Sequence, residues 1–254
     1  MTRRLTYGNI NRLLRFAASH PTVENDHNML KFRFDNDDPL AAEFRDFVSA
    51  ADFPCVGAKA ALARQQMDIV VARHIGSAWD DLRVLPGLME IVRRYREDKT
   101  LFRTFVVLFE DDENLSESAF EHHMWDRIQS LTDKDDWLGF QPDPSVDTDP
   151  ESPHFSLSFS GEAFFVVGLH PHASRPARRF IRPAMVFNLH DQFVELRKNG
   201  RYEKMRSAII DRDVALAGEP NPMLARHGEV SEARQYSGRE VSSEWRCPYQ
   251  RRAA

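Results

Sequence analysis

The sequence predicts an α+β fold, or an α/β fold, in which a central, mostly antiparallel sheet is flanked by helices within a single domain of residues 1–254. Three observations support this prediction. Short runs of β-branched and aromatic residues, typical of strands, occur in both halves of the chain. Two of these runs are separated by a Ser-Gly pair, which is typical of a hairpin turn. Amphipathic stretches with capping residues at their starts lie between the runs.

In the first half of the chain, helices alternate with strands. Pro39 follows an aspartate and predicts a helix start, because its fixed φ suits the first turn. The residue before Pro54 is expected to be extended, and the alanine-rich run after Cys55 favours a helix, so Cys55 is predicted at a helix N-terminus. The other elements predicted here are a strand at residues 67–72, a helix at 77–98 that restarts at Pro86, and a strand at 101–110.

The second half begins with a helix that Ser116 caps and that runs to Leu131. The composition then shifts to Asp and Pro, which predicts a surface loop over residues 133–153. Residues 219–254 carry polar turn residues without a long period and predict an extended C-terminal segment that folds over a site. Between them lie a hairpin at residues 155–170, a strand at 184–190 and a helical stretch at 191–217 with a break near Gly200.

Composition excludes several classes of protein. The chain has 254 residues, 42% of them hydrophobic, which is enough to build a full core. A net charge of −5 argues against a general nucleic-acid binder, because phosphate neutralisation needs a basic surface. The apolar run at residues 163–169 is much too short to cross a bilayer, and the chain starts without the apolar segment of a secretory signal. We therefore expect a cytoplasmic protein that binds neither nucleic acid nor membrane, with an ordinary helix in its first 22 residues.

Cys55 stands in the segment FPCVGAKAA. Unpaired backbone N–H groups and the helix dipole at a helix N-terminus favour thiolate over thiol, and a thiolate is a nucleophile or a soft metal ligand. Gly57 and Ala58 are small, so a flat cofactor can approach the backbone at this point. The alternative is a buried, inert cysteine.

Histidines end two predicted strands, and arginines follow the first of them. His170 and His190 come directly after hydrophobic runs, and if the two strands are neighbours the histidines are expected to face one rim of the sheet. Arg175, Arg178 and Arg179 follow His170 closely. Their guanidinium groups need anions, which are a substrate carboxylate, cofactor propionates, a phosphate or the acids of the protein itself. A turn held together by internal salt bridges is the alternative.

Four separated motifs resemble, in the same order, those of the YqcI/YcgG family. They are FPCVGAKAAL, GLHPxASRxARRF, VFNLHxQF with LRxxGxY, and NPMLxxHGxxSEARQYSGR, and the resemblance extends from about residue 50 to Pro248. It implies a haem-dependent oxygenase, because members with assigned roles are similar to N-hydroxylases of guanidine-containing amino acids in guanitoxin and cycloserine pathways. The chain adds a histidine, His172, beside His170.

The resemblance implies that haem b, O2 and a reductant hydroxylate a guanidino or amino nitrogen of a small, arginine-like substrate, with electrons from a ferredoxin or a flavin reductase. A thiolate ligand promotes cleavage of an iron-bound O–O bond, so Cys55 is the expected axial ligand. His170 and His190 are the alternative iron ligands and the expected catalytic residues.

The same resemblance implies roles for charged residues and leaves two other kinds of function open. Haem propionates or the substrate carboxylate would be bound by Arg175, Arg178 and Arg179, and a substrate guanidinium by Glu162 or Glu232. One alternative function is a protein that binds haem for sensing or storage without turnover. The other is a haem-free enzyme in which Cys55 is a nucleophile with a histidine base.

Overall fold

The computed structural model describes residues 32–251, apart from Asp112 and His227. The chain divides into two units, residues 1–33 and 34–254. The helix expected within the first 22 residues lies outside the described residues. The helices and strands of the described residues all belong to the second unit.

A five-stranded sheet forms the centre of this unit, with the strand order β1-β2-β5-β4-β3. The strands β1 and β2 are parallel and the other three neighbouring pairs are antiparallel, which confirms the predicted mostly antiparallel sheet. Because helices cover both faces, β1 and β2 are buried throughout and are apolar apart from Asp68 and Thr104. The strands are β1 (Met67–Ala72), β2 (Thr104–Phe109), β3 (Leu157–Phe159), β4 (Glu162–Leu169) and β5 (Ala184–Leu189).

Seven α-helices are found in the described residues, and the predicted capping residues start three of them. Asp38, Cys55 and Ser116 are N-caps whose side chains accept hydrogen bonds from backbone N–H groups of the first turn. None of the seven helices has the length and the apolar content that crossing a bilayer requires. The helices are α1 (Pro39–Ser49), α2 (Val56–Ala63), α3 (Asp81–Glu97), α4 (Glu117–Trp137), α5 (His190–Lys198), α6 (Tyr202–Ala217) and α7 (Ala233–Tyr236).

Alternate residues along each strand reach two different layers of helices. On one face, which we call the α1–α2 face, Val106 and Leu169 join the side chains of α1 and α2 in one hydrophobic core. On the other, which we call the α4 face, Gly168 contacts Phe120 and Met124. A Cβ atom at Gly168 would lie 2.7 Å from the Phe120 ring, so only glycine allows α4 to approach the sheet this closely.

Two predicted boundaries are wrong, each for a physical reason. The helix expected to restart at Pro86 is one continuous helix, α3. Proline removes the hydrogen bond to the carbonyl of Leu82, but Leu82 is exposed, so water can hydrate that carbonyl. The loop expected over 133–153 begins only after Trp137, because the buried carboxylate of Asp135 accepts the Ser160 N–H and fixes the last turns of α4 to the β3–β4 hairpin.

The C-terminal segment forms a strap, residues 231–239, along one edge of β4. The strand β3 pairs only with residues 162–164, so beyond them this edge of β4 lacks a partner strand in the described part of the chain. The Tyr236 hydroxyl donates a hydrogen bond to the Phe164 carbonyl (3.3 Å), and Arg178 donates to the Gly168 carbonyl (3.1 Å). Arg178 also donates to the Tyr236 carbonyl (2.9 Å), so it joins the strap to the strand.

Candidate functional site

Cys55 is the N-cap of α2, as the sequence predicts. Its Sγ accepts a hydrogen bond from the Ala58 N–H at 3.4 Å. Burial raises the pKa of the Cys55 thiol, and the backbone N–H groups of Ala58 and Gly57 act in the opposite direction. The sulfur therefore holds its proton at neutral pH by itself, whereas a bound metal ion would displace that proton.

A half-buried surface of three apolar residues and one asparagine lies on the α1–α2 face of the sheet. Its residues are Phe165 and Val167 of β4 and their pairing partners Asn188 and Val186 of β5, and we call it the β4–β5 patch. Val167 and Val186 pack against the same hydrophobic core as Cys55. Val167 and Val186 thus connect this patch to the hydrophobic cluster that also contacts the N-terminus of α2.

The side chains of Cys55, Phe102 and Met205 all lie close to Gly57. A Cβ atom at Gly57 would lie 3.8 Å from the Cys55 sulfur, 3.8 Å from the Phe102 ring and 3.9 Å from the Met205 sulfur. Met205 belongs to α6, none of whose side chains is fully buried. Neither Phe102 nor Met205 belongs to a motif with its own chemistry, so neither could be predicted from the sequence.

The expectation that His170 and His190 face one rim of the sheet is wrong. The strands β4 and β5 are neighbours, but they are antiparallel, so Leu169 pairs with Ala184 and Phe164 pairs with Leu189. The two histidines therefore lie at opposite ends of the strand pair. Five residues of strand separate those ends, which is about 17 Å, so one haem iron cannot be bound by both.

His170 belongs to the α4 face, away from Cys55. Its ring stacks on Phe120 of α4 with 4.4 Å between the ring centroids, and it is buried. Burial lowers the pKa of His170 to about 4. The side chain is thus a neutral part of the core at physiological pH, and its Nδ1 has no hydrogen-bond partner in the described structure.

This geometry predicts that the stability of the protein falls as pH decreases from about 6.5 to about 4. The unfolded histidine takes up a proton below about pH 6.5, whereas folded His170 does so only near pH 4, so acid favours the unfolded chain. The free energy of unfolding is measured with urea at pH 7 and at pH 4.5. Between these pH values it should fall by about 2 kcal/mol less in His170→Gln than in the parent. An NMR titration giving His170 an ordinary pKa would contradict the prediction.

His190 begins α5 within a buried polar cluster. Its Nε2 lies 3.6 Å from Oε1 of Glu232 in the strap, and Ser156 donates a hydrogen bond to Oε2 of that carboxylate at 3.2 Å. Glu162, the other acid expected to bind a guanidinium, pairs with Arg96 at 2.8 Å. Both carboxylates are thus engaged by side chains of the protein.

The three arginines after His170 are also engaged internally. Arg175 pairs with Asp213 of α6 and donates to the Glu219 carbonyl at 3.1 Å. Arg178 joins β4 to the strap, and Arg179 donates to carbonyls of its own loop. Arg175 forms a salt bridge, as the alternative expected, whereas Arg178 and Arg179 donate to backbone carbonyls instead of carboxylates.

A sequence model of the YqcI/YcgG family matches residues 44–250, which is most of the chain. The chain belongs to the YqcI/YcgG family. No curated protein and no solved structure matches it. The matched range of this YqcI/YcgG protein includes α2 with Cys55, the β4–β5 patch and the strap.

The YqcI/YcgG protein has a second cluster of metal-ligand residue types where β1 and β2 end. Nε2 of His74 lies 3.1 Å from a carboxylate oxygen of Asp111 and 3.2 Å from one of Glu113. The Gly76 N–H donates to Nδ1 of His74 at 2.8 Å, so the neutral imidazole carries its proton on Nε2. Binding a metal at this atom would require His74 to give up that proton and the hydrogen bond from Gly76, so in the structure the cluster holds two loops together. Two loops that follow neighbouring parallel strands are the signal that could have indicated it from sequence.

Of the three iron ligands expected for a haem in this YqcI/YcgG protein, Cys55 has the suitable surroundings. Its sulfur faces backbone N–H groups that can stabilise a thiolate, and the β4–β5 patch packs on the same core. His170 is stacked in the opposite layer and His190 is buried beside Glu232. The ligand chemistry present thus allows Cys55 to bind an iron, and the positions of the two histidines exclude a haem held jointly by them.

Proposed function

We propose that this YqcI/YcgG protein is a haem-dependent oxygenase that hydroxylates a guanidino or amino nitrogen of a small, arginine-like amino acid. The observation that carries the proposal is the position of Cys55, an N-cap whose sulfur accepts a backbone N–H and packs on the same core as the half-buried β4–β5 patch. The motif resemblance supports the substrate class. We also propose a cytoplasmic location.

A haem b held by a thiolate would supply O2 activation, because the thiolate donates electron density that favours O–O cleavage. Cys55 would hold the iron, and the N–H groups of Ala58 and Gly57 would stabilise the negative charge on its sulfur. Val167 and Val186 would exclude water from one side of the site. A ferredoxin or a flavin reductase would supply the electrons.

The haem-free alternative, with Cys55 as a nucleophile, has less support. Burial raises the pKa of the Cys55 thiol, whereas a nucleophilic cysteine needs a lowered one. An activity measurement distinguishes an oxygenase from a protein that binds haem without turnover. An oxygenase should consume O2 and reductant with a guanidine substrate and release its hydroxylated product.

An absorption spectrum of the haem-loaded protein tests the ligand. We expect about one non-covalent haem, removable by acid acetone, since a covalent c-type attachment motif is absent from the sequence. The ferrous carbonyl complex should show the strongly red-shifted Soret band of a thiolate ligand. Cys55→Ser should abolish this band, and Cys247→Ser, which changes the other cysteine, should leave it unchanged.

His170→Ala and His190→Ala complete the comparison, and both should retain the red-shifted band. A carbonyl spectrum of the globin type that is lost only in one of these histidine variants would overturn the role of Cys55. A protein that takes up no haem after expression with a haem precursor would overturn the proposed function itself.

A further inference from the structure

Phe102 has an unfavourable backbone conformation next to the Cys55 site. Its φ is +73°, in the left-handed region that glycine adopts easily and that bulky side chains rarely adopt. The residue lies in the turn between α3 and β2, at the start of the strand that the sequence predicts from residue 101. Strain of this kind persists only where surrounding contacts fix it, and it is concentrated at functional sites.

The contacts that fix Phe102 are those of its ring and of the chain that follows it. The ring packs on the α1–α2 core, and the Arg64 guanidinium lies 5.0 Å from its centroid. The next residue, Arg103, accepts a hydrogen bond from the Gln192 side chain at 2.6 Å through its carbonyl. The backbone is thus fixed from the sheet side while the ring is directed toward the turn at Gly57.

The other non-glycine residues with positive φ in the described structure have ordinary explanations. Gln65 follows the end of α2, and Ser160 lies in the Ser-Gly turn of the hairpin. A left-handed residue is common where the chain reverses or stops, and Phe102 differs from these two polar residues in carrying a bulky aromatic ring in that conformation. At Phe102 a glycine would satisfy the turn, so the ring itself is the reason for the phenylalanine.

We propose that Phe102 is a positioning residue of the Cys55 site. Its ring, against the position of Gly57, fixes the turn in which the N–H groups of Gly57 and Ala58 face the sulfur, and it limits access of solvent to that sulfur. The significance for iron binding rests on the proposed function. The effect on the thiol does not require haem.

Alkylation of Cys55 in the haem-free full-length chain, in a Cys247→Ser background, tests the inference. Phe102→Gly should raise the alkylation rate roughly tenfold, since the sulfur loses its cover and its fixed N–H partners, and Phe102→Leu should restore most of the protection. Gln65→Gly is the matched control, because it relieves a similar φ at an exposed residue. It should leave the rate unchanged.

The thermal midpoint separates positioning from general stability. Phe102→Gly should unfold within a few degrees of the parent, because the relief of strain offsets the lost packing of the ring. An alkylation rate that is unchanged in Phe102→Gly, or that rises equally in Gln65→Gly, overturns the inference. Phe102→Ala provides the same comparison should the glycine variant fail to fold.

The haem-loaded protein gives a second measurement. Phe102→Gly should lose part of the red-shifted carbonyl band to a form without thiolate ligation, and Phe102→Leu should retain it. An unchanged red-shifted band together with faster alkylation would show that Phe102 does not support iron binding by Cys55. If the parent binds no haem, the proposed function fails, and the alkylation rates alone decide whether Phe102 positions the thiol.

Discussion

Replacing Arg178 with methionine should lower the free energy of unfolding by about 3 kcal/mol or more. The guanidinium donates to the carbonyls of Gly168, Gln235 and Tyr236 at 3.1, 2.9 and 2.9 Å. Methionine keeps much of the volume but leaves these carbonyls without a donor, and each unsatisfied buried carbonyl is costly. Burial lowers the pKa of Arg178 only to about 10, so the parent remains charged at neutral pH.

Urea unfolding and amide hydrogen exchange measure this effect. We expect faster exchange in the strap and at the end of β4, because these are the segments that Arg178 joins. Arg179→Met is the matched control: the neighbouring arginine is exposed and bonds only its own loop, so its loss should cost under about 1 kcal/mol. Equal costs for the two variants would show that Arg178 does not hold the strap.

Replacing Asp81 with alanine should lower the free energy of unfolding by about 3–5 kcal/mol. Asp81 begins α3, and its fully buried carboxylate accepts from Arg127 at 2.5 Å, Ser130 at 2.6 Å and Lys134 at 2.9 Å, all three from α4. Its removal leaves the buried guanidinium of Arg127 without a counter-charge, which is the most costly way to break a buried ion pair.

A double-mutant cycle distinguishes the cost of leaving Arg127 without a counter-charge from the net contribution of the Asp81–Arg127 ion pair. Asp81→Ala with Arg127→Met should be much less destabilising than the sum of the single variants, because the double variant leaves neither charge buried alone. Asp126→Ala, which removes an exposed carboxylate beside His122, is the control and should change stability by less than about 0.5 kcal/mol. Additive costs in the cycle would contradict the prediction.

Local signals in the sequence predicted the elements and the position of Cys55. Capping residues, proline positions and β-branched runs act within a few residues, so helix starts at Pro39 and after Cys55 could be found directly. The direction of β4 relative to β5 could not, because strand pairing depends on contacts across the whole sheet. That direction places His170 and His190 at opposite ends of the strand pair, so the two cannot share one iron.

Other features of the site depend on partners that are distant in the chain. The arginines after His170 predicted a need for acceptors, but nothing near them indicates that Arg178 bonds carbonyls more than fifty residues away. The positive φ of Phe102 results from the fixed ends of its turn, and phenylalanine gives no local sign of it. Hydrogen-bond partners and strained dihedrals follow from the assembled fold.

The strap also bears on how the chain avoids joining other copies of itself. Its contacts span long sequence separations, such as Ser237 with Glu121, so it docks late in folding. Until then the edge of β4 beyond residue 164 has backbone groups that are open to a second molecule. Two such intermediates can pair through β4, and a strand-exchanged dimer is therefore the expected misfolded product when the strap is weakened.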